Sequence, residues 1–169
     1  MENISANYWI NKLKLISHPE GGFYKETYKS SCHIDSNIEH ATGSRSIASA
    51  IYYLLQAGDF SAFHRLDADE MWHYYAGDCL NLYLINNETR AIETTIIGNS
   101  EFYKHAVFQA VVPKNTWFAA EPCTGSQYCL VGATVFPAFI FKTFELAVTQ
   151  QLLQSYPEHA SLISKLTRN

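Results

Sequence analysis

The amino-acid sequence predicts a mainly β protein, an antiparallel barrel or sandwich with a short helix before it and two helices after it. Three observations carry this expectation. From residue 46 onward, apolar residues recur with a period of two in short runs separated by turn signals. Both ends of the chain switch to the wider spacing of amphipathic helices. The length of 169 residues, 47% apolar and 17% charged, suits one domain spanning 1–169, with a real core and room for an internal pocket.

Residues 5–16 place Tyr8, Trp9, Leu13 and Ile16 on one helical face, with Ser5 as the N-cap. Pro19 and the Gly21, Gly22 pair stop that helix ahead of an extended aromatic run. Residues 32–44 are polar and aperiodic, which predicts a loop. Strands are expected over 46–55, 60–66, 70–75, 79–85, 91–97, 105–112, 116–120 and 128–136, giving a barrel core of about 46–136. Turn residues punctuate them: Gly58 with Asp59, Asp67 to Asp69, Gly77 with Asp78, Asn86 with Asn87, Gly98 with Asn99, Pro113 to Asn115, and Thr124 with Gly125. Residues 144–156 and 157–166 return to helix, with Pro157 at a helix start.

Composition narrows the function classes. The net charge is −4 and the basic residues are scattered singly, so no nucleic-acid footprint is present. No apolar run reaches the roughly 18 residues of a membrane helix, and the first residues carry no secretory pattern. The four cysteines form no CxxC pair and read as reduced thiols of a cytoplasmic protein, where the Asn87-Glu88-Thr89 sequon has no role. The 11 Tyr, 10 Phe and 3 Trp suit strands and a lined cavity, so the expected partner is a small molecule.

The chemistry concentrates in residues 58–77, GDFSAFHRLDADEMWHYYAG. Positions 64 and 66 are two apart on a strand and share its inward face, and a tight turn then brings Glu70 alongside them. Imidazole beside carboxylate suits a divalent metal or an acid/base pair. The spacing of Gly58, His64, Leu66, Glu70 and Gly77 resembles the first motif of the cupin superfamily, whose double-stranded β-helix carries His, His and Glu as metal ligands there. The second motif resembles residues 113–118, with Asn115 at the Gly position and Phe118 at the His position. Two of the four ligand positions therefore hold Leu66 and Phe118. That substitution disfavours a metal-dependent oxygenase and any confident cofactor; a divalent ion, if bound, would use His64, Glu70 and His73. Strict alternation puts His73 on the face opposite Glu70 unless a bulge re-aims it.

Several segments together extend the resemblance to the Cupin-5 family. They are HPEGGFYKETYKS at 18–30, IYYLL, FHRLDADEMWHYYAGD, the QAVVP and WFAA stretches within 109–120, and LVGATVFPAF at 130–139. Ser31 and Ala138 depart from its pattern. The resemblance implies a small cytosolic cupin and a homodimer made by pairing strand edges. A second likeness, of Gly-Gly-Phe-Tyr-Lys-Glu at 21–26 to a stretch of metal-free sugar-nucleotide 3,5-epimerases, implies Phe23, Tyr24 and Glu26 near the pocket mouth and His64 as a base.

These readings make His64, Glu70 and Tyr74 the catalytic candidates, with Tyr24 and Tyr53 as further proton donors. Substrate contacts are expected from His18, Glu20, Tyr24, Glu26, Arg45, Tyr53, His73, Gln109 and Trp117. For Arg45 the alternative is a solvated loop residue, and for His73 a cross-strand surface contact. Tyr53, Trp72, Gln109 and Trp117 read as barrel lining or core ahead of specific contacts. Glu70, costly to bury alone, would otherwise pair with Arg45 or Arg65. His33, His40 and His159 are expected on the surface. The leading function is sugar-derivative isomerisation or epimerisation, with a non-catalytic ligand-binding cupin as the competing class.

Overall fold

Alternate side chains of a strand project from opposite faces, so a sheet covered on both sides must be apolar nearly throughout. SAIYYLLQ and YCLVGATVF have that character, and they are the two central strands of the larger sheet. The computed structural model of the protein describes residues 4–38 and 41–168. It begins with α1 (Ala6–Leu13), β1 (Ile16–Ser17), β2 (Phe23–Lys29), β3 (His33–Ile38), β4 (Ala41–Ser46) and β5 (Ser49–Gln56). Then follow β6 (Ser61–Arg65), β7 (Asp69–Gly77), β8 (Leu80–Ile85), β9 (Ile92–Ile97), β10 (Gln109–Val112), β11 (Phe118–Pro122) and β12 (Tyr128–Phe136). The chain closes with β13 (Glu145–Leu146), α2 (Thr149–Ser155) and α3 (Ala160–Lys165).

The larger sheet runs β1-β2-β5-β12-β7-β10 and the smaller β13-β6-β11-β8-β9. They face each other, and a parallel bridge between Ile97 and Val107 joins them at one corner. Tyr53, Leu55, Trp72, Leu82, Phe118 and Val131 meet between the sheets. Neighbours one residue away point outward and are buried by helices. Leu54 and Leu130 lie under Trp9, Ile10 and Leu13, while Phe63 and Ala119 lie under Leu152, Ile163 and Leu166. Each large side chain buried this way contributes roughly 1.5–3 kcal/mol over exposure. Among the described residues, no helix is long and apolar enough to cross a membrane.

Several boundaries differ from the sequence expectation, each for a local reason. Ser5 does cap α1, accepting from Tyr8 N at 3.3 Å, but Lys14 at φ 56° ends the helix and leaves Ile16 to pair with Tyr24. The expected loop at 32–44 is instead the β3–β4 ribbon, paired from His33 with Ser46 to Ile38 with Ala41. Its exposed His33, Ile34 and Asp35 show why no alternation marks it, since that signal needs one buried face. The helix expected from 144 starts at Thr149, because Glu145 and Leu146 pair with Arg65 and His64. The strand expected from 105 starts at Gln109, after a turn holding His105 at φ 67°. His40 lies outside the described residues, His33 is exposed, and His159 places Nε2 2.7 Å from Arg90 O.

Arg45 at the end of the ribbon is buried. Its Nη1 and Nη2 donate to Asp67 Oδ2 and Oδ1 at 2.8 and 3.1 Å, and its Nε donates to Ala138 O at 2.6 Å. The fork ties β4, the β6–β7 turn and the segment after β12 into one unit. Removing one partner leaves the other charge buried and unmatched. Arg45→Ala is therefore expected to lower the unfolding free energy by about 3–5 kcal/mol, read from the urea midpoint. Arg45→Lys, which cannot form the bidentate pair, should recover less than half of that loss. A midpoint unchanged in Arg45→Ala would refute this role.

Candidate active site

The turn at residues 18–22 forms one wall of an internal cavity. Gly21 and Gly22 hold φ of 117° and 69°, and a Cβ on Gly21 would lie 2.0 Å from Phe60 O and 2.2 Å from Arg168 Nη2. Only glycine serves there. The turn closes on itself through Gly21 N donating to His18 O and His18 N to Gly22 O, both at 3.0 Å. It is fixed to β6 by Ala62 N donating to Glu20 O at 2.9 Å. Arg168 clamps it from outside: Nε donates to Glu20 O at 3.0 Å, and Nη2 donates at 2.9 Å both to Asp59 Oδ1 and to Phe60 O.

With its backbone held, Glu20 turns its side chain inward. Oε1 accepts from Ser61 Oγ at 2.9 Å, and Oε2 lies 3.2 Å from His64 Nε2 and 3.6 Å from His18 Nδ1. His64 Nδ1 sits 2.7 Å from Ala62 O, which can only accept, so Nδ1 carries a hydrogen. Nε2 and the Glu20 carboxyl then share one proton, as imidazolium and carboxylate or as imidazole and carboxylic acid. His18 Nδ1 accepts from Glu20 N at 3.3 Å. Burial pushes the His18 pKa down, Glu20 opposes that and His64 reinforces it, so His18 is neutral in this role.

Glu70 opens β7 and faces the same cavity. Its Oε2 and the Trp72 indole Nε1 are both buried and make no hydrogen bond among the described residues. Burial, then the Glu20 carboxylate, push the Glu70 pKa from 4.5 to about 8, while the Trp72 N–H works weakly the other way. Glu70 is therefore a carboxylic acid at neutral pH.

The cavity encloses about 240 Å³. His18, Glu20, His64 and Glu70 form its polar end, with Tyr24 and Glu26 of β2 on one side. Leu66, Ile51, Ala133 and Val135 line the apolar floor, and Phe139, Phe141 and Phe144 complete the wall. Sequence reading did not single out Ser61, Arg168 or these three phenylalanines. The aromatic alternation at 139 and 141 was the available signal, in a stretch assigned to no element.

The remaining candidates lie elsewhere. Arg45 is spent on Asp67, and Arg65 pairs with Glu145 at 2.7 Å, so neither neutralises Glu70. Tyr53 stands behind the turn, donating to Gly21 O at 2.8 Å. Burial holds its hydroxyl well above the usual pKa, with a contribution from Glu20. Tyr74 packs against the inter-sheet core and donates to Gly77 O at 2.6 Å, with burial pushing its pKa up to about 12. His73 points away from Glu70, contacting Thr134 Oγ1 at 3.1 Å and Gln109 Nε2 at 3.0 Å, which also accounts for Gln109. Trp117 stacks on Arg65, 4.6 Å from ring centre to guanidinium.

The donors present do not fit a divalent metal. Phe118 lies directly across from His64, ring centres 4.0 Å apart, and Leu66 is apolar cavity wall. His64 Nε2 is committed to Glu20, and no group of three or more His, Cys, Asp or Glu among the described residues is placed to hold an ion.

Known proteins place the fold. A family model described as cupin superfamily (DUF985), Cupin_5, matches residues 7–147. The chain is similar to the solved structure of a hypothetical protein from Leishmania major, with 30% identity, a TM-score of 0.88, and coverage of 98% of this chain and 100% of that one. It is also similar to a Shewanella oneidensis protein, with 37% identity, a TM-score of 0.87, and coverage of 98% and 99%. Oxalate decarboxylase from Bacillus subtilis, at 9% identity and a TM-score of 0.54 over 89% of this chain and 36% of that one, shares the fold alone. No match is found among the curated proteins. Two facing antiparallel sheets around a His64 and Glu70 cavity, with a family match across residues 7–147, place this chain in the Cupin_5 (DUF985) family of the cupin superfamily.

Proposed function

We propose that the cavity binds a small polar molecule and moves a proton at a carbon next to its carbonyl, an isomerisation or epimerisation without a metal. One observation carries the reading: a neutral carboxylic acid, Glu70, and a proton-sharing pair, His64 with Glu20, line one cavity. A carboxyl that keeps its proton and a basic pair facing one cavity are what acid/base chemistry at neutral pH requires. The C–H bond breaks toward the His64–Glu20 pair, where the Glu20 carboxylate takes the proton beside the imidazolium. The electron pair moves onto the carbonyl oxygen, which Glu70 stabilises by donating its hydrogen. Returning a proton to the other face gives the epimer, and returning it to the adjacent carbon gives the isomer. A cavity of about 240 Å³ lies below the roughly 300–1,000 Å³ of drug-sized sites, which favours a ligand of monosaccharide size over a whole sugar nucleotide.

Incubation in D₂O with a panel of three- to six-carbon hydroxyaldehydes and hydroxyketones tests this. The expected result is deuterium at the carbon next to the carbonyl, slowed about 10²–10⁴-fold in His64→Ala. Tight retention of a panel member without any exchange would replace the reading with a non-catalytic binding cupin, and no exchange with any member overturns it.

The Glu70 proton also sets a pH dependence of stability. Between about 4.5 and 8 the folded chain holds a proton that the unfolded chain has released, so stability falls as pH rises through that window. The slope from this one group is at most about 1.4 kcal/mol per pH unit. Glu70→Gln removes it, so the variant's stability relative to the parent should grow from pH 5 to pH 8 and then level off. Parallel urea-derived curves for the two proteins would contradict a protonated Glu70.

A further inference from the structure

We infer that the ligand of this cavity is an organic cation, a small molecule with an ammonium group held among Tyr24, Phe139, Phe141 and Phe144 beside Glu26. This rests on reading the cavity as the ligand site and not on the proton-transfer chemistry.

The charge inventory points one way. Glu20 is matched by His64 at 3.2 Å, and Glu70 faces the same space as a second carboxyl. Glu26 remains as a carboxylate at the mouth, and among the described residues no Lys or Arg lines the cavity. Three basic side chains lie across a wall from it. Along residues 138–141, Phe139 and Phe141 face the cavity, whereas Ala138 and Ile140 face a separate groove that holds Lys29, Arg45 and Lys142. An anionic ligand would meet Glu26 there and find no Lys or Arg to match it.

The apolar lining adds a second, independent observation. Phe139 and Phe141 rings cross at 83° with centres 4.9 Å apart, Phe139 and Phe144 at 63° and 5.9 Å, and Phe141 and Phe144 at 76° and 6.4 Å. Three mutually inclined rings present faces and edges in several directions instead of one flat stack. Tyr24 lies on the β2 side of the same space. Ring faces carry negative quadrupole potential, and a cation within about 6 Å of several ring centres is attracted to all of them, most strongly where water is excluded. Inclined aromatic rings beside Glu26, with no Lys or Arg in the lining, make up a receptor for ammonium.

Isothermal titration and NMR of the purified protein decide it, with choline and ethanolamine as cationic probes. The neutral probes are 3,3-dimethylbutan-1-ol, which matches choline in shape, and 1-propanol; propionate is the anionic control. The expected result is choline or ethanolamine binding at least about tenfold more tightly than its neutral counterpart, with propionate weakest. Phe144→Leu keeps the apolar wall but removes a ring face, so it should erase most of the cation preference and leave alcohol binding nearly unchanged. Glu26→Gln, an exposed position that does not threaten folding, should weaken both cations several-fold and neither alcohol. Equal binding of cation and isostere, stronger binding of propionate, or no binding of either cation at 10 mM overturns the inference. Cation binding without deuterium exchange would remove only the proton-transfer reading, and exchange of neutral sugars with no cation preference would remove only this one.

Discussion

A carboxylate buried between two sheets has to be matched, and the structure is organised around matching Glu20. Ser61 satisfies one oxygen, His64 the other, and two donors, Ala62 N and Arg168 Nε, converge on its backbone carbonyl. These partners come from opposite ends of the chain. The glycine turn supplies Glu20, β6 supplies Ser61, Ala62 and His64, and residue 168 returns to close the contact. β6 is also the strand that the segments near the C-terminus bracket, through Leu146 pairing with His64 and Phe63 N donating to Leu166 O. Removing His64 leaves the Glu20 carboxyl without its ionisable partner in a low-dielectric interior, where isolated charges are far more costly than on the surface.

The same interior explains the second carboxyl. Leu66 and Phe118 stand where the superfamily pattern has histidines, and they turn a metal-ligating corner into apolar wall. Phe118 lies against the His64 ring and holds it toward Glu20 instead of an ion. Glu70, its Oε2 without a hydrogen bond among the described residues, responds by keeping its proton. Losing two ligands thus changes the chemistry of the remaining two. What would serve as metal donors elsewhere become a neutral acid and half of a proton-sharing pair.

Much of the fold was legible because the strands are covered on both faces or alternate cleanly. The strand expected over 128–136 coincides with β12, and the β5, β6, β8 and β9 boundaries move by one to three residues. The β3–β4 ribbon was illegible because its described residues 33–35 are exposed in a row, so no buried face gives them an alternation. The extended Glu145–Leu146 pair was illegible because its apolar spacing also fits a helix, and only its pairing with β6 decides between them. For the cavity, spacing in one strand and one turn brought out His64 and Glu70, and the glycine turn brought out His18 and Glu20. Distances across the chain did not register: Arg168 reaches Glu20 from 148 residues away, and nothing local to either residue records that. Arg45 carries the same lesson in reverse, since a lone arginine in a polar stretch gives no hint of a buried bidentate partner at Asp67.

Charge is sorted in this molecule by the simplest property of an extended chain. Ile140 has φ −138° and ψ 134°, and successive side chains from 138 to 141 alternate between two concave surfaces. Phenylalanines go to the acidic cavity, while the alanine and isoleucine go to the groove with the basic side chains. The wall is one extended segment thick, with Glu20, Glu26 and Glu70 lining one side and Lys29, Arg45 and Lys142 the other. A shift of one residue in this segment would exchange those faces, moving Phe139 and Phe141 out of the cavity and Ile140 into it. Contacts on both sides hold the register, and Ala138 N donating to Ser46 O at 3.0 Å adds to them. Arg45 Nε donates to Ala138 O at 2.6 Å, and Phe139 N donates to Ser49 Oγ at 2.9 Å, one from each side of the partition. Arg45, expected in the ligand site, therefore shapes it from outside by fixing which side chains enter.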